Sequence, residues 1–278
     1  MYAHPVDTID ALLEVFGPQL DPDLDNLDQR IASWAIPAYG VVQRYFRAKV
    51  TGLEKIPAGK ALMVGNHNSG ITFLEPIILG REWHRYNGGP DDLRFLVHDA
   101  MVKIPVLGNL LMKSGAVRAS REAVGKAFEG GQKILVFPGG NIEAFRPWKD
   151  RHKIVFRGHK GFARMALLHG TPIVPVMNLG GHNTFMVLWR GEPLARLTRT
   201  DKLLRSPSFP IFLGLPWGIG LGPIFHFPLP AKMTIEVGDP IPVDGYGPDA
   251  LNDQAVVDEL YDRTVAQLQA MMDRHVGR

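Results

Sequence analysis

The chain contains no cysteine, which removes disulfides, thiol nucleophiles and cysteine-held metal centres from consideration. Its first 29 residues contain no lysine or arginine and hold seven acids, from Asp7 to Asp28. They do not read as a secretory signal, which needs a basic start and a long apolar run. A third absence lies late in the chain, where residues 206–231 hold no Asp, Glu, Lys or Arg. That segment is long enough to cross a bilayer, but its many prolines and glycines would strand backbone polar groups in hydrocarbon. Two readings stay open for it: an apolar, irregular surface forming a groove roof, or a buried loop. Nothing repeats at a fixed period, and no linker-like stretch divides the chain.

What is present supports a single large domain. With 278 residues, 45% of them hydrophobic and 21% charged, the chain can bury a sizeable core. Short apolar runs bounded by turn residues recur at 61–65, 94–97, 134–137, 173–177 and 233–237. Helical spacing lies between them, at 121–129 and 159–169, and again at 251–272. There Val256, Val257, Leu260, Tyr261, Val265, Leu268 and Met272 form one stripe. This alternation predicts an α/β fold, a single domain with a mixed, mostly parallel sheet flanked by helices. An amphipathic helical appendage precedes it, and Pro37 should kink or split the pattern over 29–50.

The net charge of +3 is too small to argue for nucleic acid, but the charge is unevenly placed. Residues 146–164 hold seven basic side chains against Asp150 alone. Phosphates are the natural partners of such a run, with a solvated basic face as the plain alternative. Local basicity together with an apolar surface also suits a protein lying on an anionic membrane.

Two strand ends carry chemistry. The first reads Asn66-His67-Asn68-Ser69-Gly70, placing a histidine at the carboxyl end of a strand, where α/β enzymes put their sites. A neutral imidazole there can take a hydroxyl proton while the oxygen attacks a carbonyl. The second reads Phe137-Pro138-Gly139-Gly140-Asn141-Ile142-Glu143, where paired glycines let backbone N–H groups approach a ligand. No G-x-S-x-G elbow surrounds Ser69, and neither Gly59-Lys60 nor Gly125-Lys126 has P-loop spacing. No H-x-x-x-H helix occurs, so no metal is expected.

In chain order these blocks are joined by Gly115-Ala116-Val117-Arg118 and by Thr171-Pro172-Ile173-Val174-Pro175-Val176. Over roughly residues 50–245 the series resembles the glycerolipid acyltransferase superfamily, the lysophosphatidate-type enzymes and their relatives. Pro138-Gly139-Gly140 with Glu143 is similar to the neutral-lipid branch of type-2 diacylglycerol and wax-ester-like acyltransferases. The run 157–166 and the turn Gly180-Gly181-His182-Asn183-Thr184-Phe185 share that similarity. The resemblance implies residues 1–50 as an acidic segment with membrane-associating helices and 51–278 as the acyltransferase domain. It also implies His67 as the base for an alcohol attacking an acyl thioester, without a covalent intermediate. Asn66, Ser69, Thr72, Arg118, Phe137, Pro138, Gly139, Gly140, Arg146 and Lys160 become substrate-binding candidates.

The departures matter as much. Where the family has an aspartate five residues after the histidine, this chain has Thr72, and Phe-Pro-Glu-Gly has become Phe-Pro-Gly-Gly. Glu75 or Glu143 is therefore the expected acid beside His67, with a backbone carbonyl as the alternative. Glu75 could instead stabilise a helix start, and Glu143 could pair with the basic run. The expected partners are acyl-CoA as co-substrate, or acyl carrier protein in its place, a lipid alcohol and an anionic membrane surface. No further cofactor and no nucleic acid are expected, and the expected location is peripheral, on the cytoplasmic face of a membrane. A lysophospholipid acyltransferase, or an inactive lipid-binding protein of the same fold, are the competing readings.

Overall fold

The computed structural model describes the chain apart from residues 1–4, 23, 24, 69, 71, 73, 90, 91, 204–206, 223, 225 and 278. Strands β1 (Lys49–Thr51), β2 (Ala61–Gly65), β3 (Leu93–Val97), β4 (Ala116–Arg118), β5 (Lys133–Val136) and β6 (Ile173–Leu179) come first. They are followed by β7 (Met186–Trp189), β8 (Ile211–Gly214), β9 (Gly218–Leu221) and β10 (Thr234–Val237). The helices used below are α1 (Pro5–Val15), α2 (Gln29–Tyr45), α3 (Leu74–Asn87), α4 (Leu107–Lys113) and α5 (Arg121–Glu129). Further along the chain come α6 (Gly140–Ala144), α7 (Gly161–His169) and α8 (Gln254–Val276).

The large sheet has the order β1-β10-β6-β2-β5-β3-β4, and only the β10–β6 pairing is antiparallel. Every residue of the central strand β2 is buried, as a strand covered on both faces requires. The period of two sends Leu62 and Val64 to one side, where they join Ile134, Ile173, Val257, Leu260 and Leu268. Ala61 and Met63 go to the other side, with Leu135, Val174, Val176 and the α3 residues Ile78, Leu79 and Trp83. Single side chains cap the helices. Ser120 accepts from the Ala123 N–H at the start of α5 and Asp253 from the Ala255 N–H at the start of α8.

The expected α/β architecture is the observed one, with strand and helix bounds shifted by a few residues at most of the predicted sites. Two elements refine the expectation. Helix α2 runs through Pro37 without a split and ends at Tyr45. Part of the segment 206–231 is regular, because β8 and β9 pair as a hairpin and β7 joins them in a second, antiparallel sheet. Its inner face is a cluster of Phe145, Phe185, Val187 and Phe212, with the His226 ring stacked 4.2 Å from Phe185. Among the described residues, no helix is long and apolar enough to cross a membrane.

The acidic N-terminal stretch packs on the body of the fold. Lys113 binds Glu14 and Asp28, and Arg94 binds Asp25. Buried Asn109 donates to the Val15 and Pro18 carbonyls and accepts the Leu20 N–H. The acids of this stretch thus neutralise nearly buried cations of the sheet and its helices.

Candidate active site

The site forms where the parallel strands β2, β5 and β6 end side by side, the edge at which open α/β sheets place ligands. Beyond β2, Asn66 extends the ladder with its side chain. It donates to the Asn178 carbonyl at 2.8 Å and accepts the Asn178 N–H at 2.7 Å. Asn68 donates to the same carbonyl. This clasp fixes the backbone on both sides of His67, so the ring leaves the sheet in one direction.

His67 is buried, with its residue 8% exposed. Its Nδ1 lies 3.0 Å from Glu75 Oε1, and the same oxygen accepts the Asn68 N–H at 2.6 Å. The His67 N–H donates to Glu143 Oε2 at 2.9 Å, and the Phe137 ring stacks on the imidazole at a centroid distance of 5.0 Å. Both expected carboxylates therefore touch the histidine, one through its ring and one through its backbone. Glu75 stands in the first turn of α3 and is itself buried. One helix start thus carries the carboxylate that Thr72 does not supply. With Nδ1–H given to Glu75, Nε2 is the nitrogen that takes a proton.

Burial works against a charge on this imidazole, but the Glu75 charge and hydrogen bond, with the Glu143 charge, outweigh it and raise the pKa above 6.5. Burial likewise pushes the Glu143 carboxyl up, against the pull of Arg146 and the Val155 and His67 N–H groups. The contacts continue inward. Arg146 Nη1 binds Glu143 Oε1 at 3.2 Å, and its Nη2 donates to His182 Nε2 at 3.0 Å. Burial and the guanidinium hold the His182 pKa well below its ordinary value, so that ring is neutral.

Other candidates lie at varying distance from this centre. Gly139 packs on Glu143 so closely that a Cβ there would overlap the carboxylate. Gly140 takes a left-handed conformation, and its N–H is used by the Phe137 carbonyl. Pro138 accepts a hydrogen bond from His159. Arg118 ends edge strand β4 and pairs with Asp99 at 3.0 Å. It is three strand spacings from β2, roughly 14 Å. Arg146 faces inward, 3% exposed, rather than toward a ligand. Lys160 pairs with Asp258 on α8, and Lys153 pairs with Asp150. The basic run is thus partly neutralised from within, with Lys149 and Arg157 exposed. Ser69 lies outside the described residues.

Thr72 borders an apolar cavity of about 280 Å³ whose walls include Phe95, Leu107, Leu110, Leu111 and Leu135. Sequence reasoning did not find this cavity, because its walls come from separate elements with no shared motif. It also missed Asn178. An asparagine closing the apolar run 173–177 is a polar residue at a strand end and was the available signal.

The site is a histidine held by a buried carboxylate at a parallel-sheet edge, and Thr72, five residues on, borders an apolar cavity. Residues 47–178 match the Acyltransferase family model. The chain is 30% identical over 231 residues to an uncharacterized protein of Mycobacterium tuberculosis, covering 83% of this chain and 62% of that relative's length. It is 25% identical over 260 residues to 2-acylglycerol O-acyltransferase 1 of Mus musculus, covering 89% and 74% of the two chains. In fold it is similar to the crystal structure of the 1-acyl-sn-glycerophosphate acyltransferase PlsC from Thermotoga maritima. The TM-score there is 0.52 at 17% identity, over 95% of this chain and 89% of that one.

Proposed function

We propose that this chain is an O-acyltransferase that moves an acyl group from acyl-CoA to the hydroxyl of a lipid alcohol, a neutral glyceride or a long-chain alcohol. The observation that carries the reading is the contact of His67 Nδ1 with buried Glu75. Glu75 holds the ring in the tautomer whose Nε2 accepts a proton and stabilises the imidazolium that results. Nε2 takes the acceptor's hydroxyl proton as its oxygen attacks the thioester carbonyl. The new C–O bond forms, the C–S bond breaks, and the imidazolium returns its proton to the departing thiolate. Glu143 fixes the backbone from which the ring extends, and Asn66 and Asn178 fix it from the strand side.

The apolar cavity beside Thr72 suits the acyl chain, since nearly all its walls are hydrocarbon. Exposed Lys149 and Arg157 are the members of the basic run best placed to meet the CoA phosphates. The likeness to a 2-acylglycerol enzyme supports a neutral acceptor, as does the inward-facing Arg146, which offers no clamp for an acceptor phosphate. The basic run 146–164 favours a lysophospholipid instead, with Arg118, which ends β4 at the same sheet edge.

Labelled acyl-CoA incubated with monoacylglycerol, diacylglycerol, a long-chain alcohol and lysophosphatidate in detergent tests the proposal. Ester should form on a neutral acceptor, and His67→Ala should lower the rate by about 10³-fold. Ester only on lysophosphatidate would transfer the chain to the second reading. No ester on any acceptor, or full activity in His67→Ala, would overturn the mechanism.

A further inference from the structure

We infer that the outer face of the β7-β8-β9 sheet, continued by the end of α2, is the surface by which this protein docks on an anionic bilayer. The pairings Met186↔Leu213↔Ile219 and Trp189↔Ile211↔Leu221 set six apolar side chains side by side on that face. The opposite face is the buried one, with Val187, Phe212 and Gly220. Trp189 is 46% exposed, Ile219 65% and Leu221 55%. At the turn joining β8 and β9, Leu215 and Trp217 are exposed as well, and Leu215 bridges to exposed Phe227. A contiguous bare apolar surface of this kind calls for a partner.

The occupant is set by charge and by position. Between residues 186 and 232 there are six Lys and Arg against Glu192 and Asp201, and Arg196, Arg199, Lys202 and Lys232 are exposed. Exposed Arg44, Arg47 and Lys49 add to this rim where Tyr45 donates to the Pro228 carbonyl. A second copy would bring two such basic rims together, whereas anionic headgroups neutralise them. Aromatic Trp189, Trp217 and Tyr45 beside the apolar face match the composition of interfacial surfaces.

The patch also leads to the site. An open groove of about 650 Å³ runs between α2 and the hairpin turn, lined by Val41, Tyr45, Leu74, Leu215 and Phe227. Leu74 is the chain neighbour of Glu75, which holds His67. Docking on this face therefore brings to the bilayer surface a groove that reaches the first turn of α3, the turn that carries Glu75. In that respect the inference rests on the acyltransferase reading, which supplies a lipid acceptor. A second bare stripe exists on α1, where Ile9, Leu13 and Phe16 are exposed. Its neighbours are acidic, Asp10 beside it and Glu14 paired with Lys113, and no Lys or Arg precedes Arg30 to draw it to an anionic surface.

Co-sedimentation with vesicles of phosphatidylcholine, and of phosphatidylcholine and phosphatidylglycerol in equal parts, tests the docking. The wild-type chain should bind the mixed vesicles about tenfold more tightly than the neutral ones. The double variant Ile219→Glu/Leu221→Glu should lose about a hundredfold, while Leu13→Glu stays within about twofold. Brominated acyl chains should quench fluorescence in the wild type and less in Trp217→Phe, a substitution at an exposed turn. Vesicle binding that survives the double variant, or depends on Leu13, would overturn the proposal. So would a wild-type dimer that binds no vesicle and dissociates in the double variant. Transfer in detergent, where no bilayer is present, keeps the two readings apart. Vesicle binding without transfer counts against the acyltransferase alone, and transfer without vesicle binding counts against the docking alone.

Discussion

The two sheets use the same residue types to opposite ends. In the large sheet, Leu62, Val64, Ile134 and Ile173 are buried on one face and Met63, Leu135 and Val174 on the other. At its carboxyl edge His67 binds Glu75 and Glu143, and Asn66 binds Asn178. In the small sheet, Val187 and Phe212 are buried, yet Ile219 and Leu221 on the reverse face stand exposed, with no layer over them among the described residues. A sheet covered on both faces is an anchor for geometry, and its edge can hold a histidine to a few tenths of an ångström. A sheet covered on one face is a surface, and its apolar side chains contribute little to folding. They are available to whatever adheres to them.

Paired leucines make that contrast measurable. Leu62→Ala should cost about 2–5 kcal/mol of unfolding free energy, because the removed methyl groups leave a cavity between packed layers. Leu221→Ala, the same chemical change at an exposed site, should stay within about 0.5 kcal/mol. Denaturant melts of the two variants read the difference directly. Equal losses would mean that the outer face is covered within the protein itself, and the division of labour between the sheets would fail.

The carboxyl edge can be probed without disturbing either sheet. In the proposed mechanism the base is active when neutral, and the raised His67 pKa places that form above 6.5. Activity should therefore rise with pH through a midpoint above 6.5. Glu75→Gln removes a charge that raises this pKa and leaves burial, which lowers it, so the midpoint should move to lower pH. The rate on the plateau should fall about a hundredfold, since a neutral amide stabilises the imidazolium poorly. A pH–rate profile of kcat/KM for both chains reports the two effects separately. An unshifted midpoint would show that Glu75 does not act on the ring.

Much of this edge was legible in the residues. The runs 61–65 and 121–129 mark β2 and α5 to the residue, because an all-apolar strand and a stripe of buried residues behind a serine cap leave little choice. His67 was legible as a polar residue just after a strand, and Glu143 as the carboxylate closing the block that follows another. Glu75 was harder, since its partnership with His67 depends on where α3 begins rather than on spacing along the chain. The small sheet was not legible. The periodicity of 206–231 is masked because both faces of β8 and β9 are apolar or glycine, so no alternation of polar and apolar residues announces a strand. Arg146 was misleading for the opposite reason. It stood as a substrate-binding candidate, but its guanidinium is turned onto Glu143, the pairing with the basic run that was the alternative for that acid.

Gly220 makes the smallest and most local test of the two-sheet picture. It stands opposite Phe212 in the β8–β9 pairing, and a Cβ there would overlap the Phe212 ring. That ring is fully buried among Phe145, Phe185 and Val187 and has nowhere to retreat. Gly220→Ala should therefore cost about 1–3 kcal/mol through overpacking, while the carboxyl edge of the large sheet, built from other elements, keeps its contacts. Hydrogen exchange resolves where the loss falls. Amides of β7, β8 and β9 should exchange faster in the variant, and those of β2, β5 and β6 should keep their protection. Faster exchange in all six strands would mean that the small sheet and the catalytic edge unfold as one unit, so that a bilayer pressing on the first would also be felt at the second.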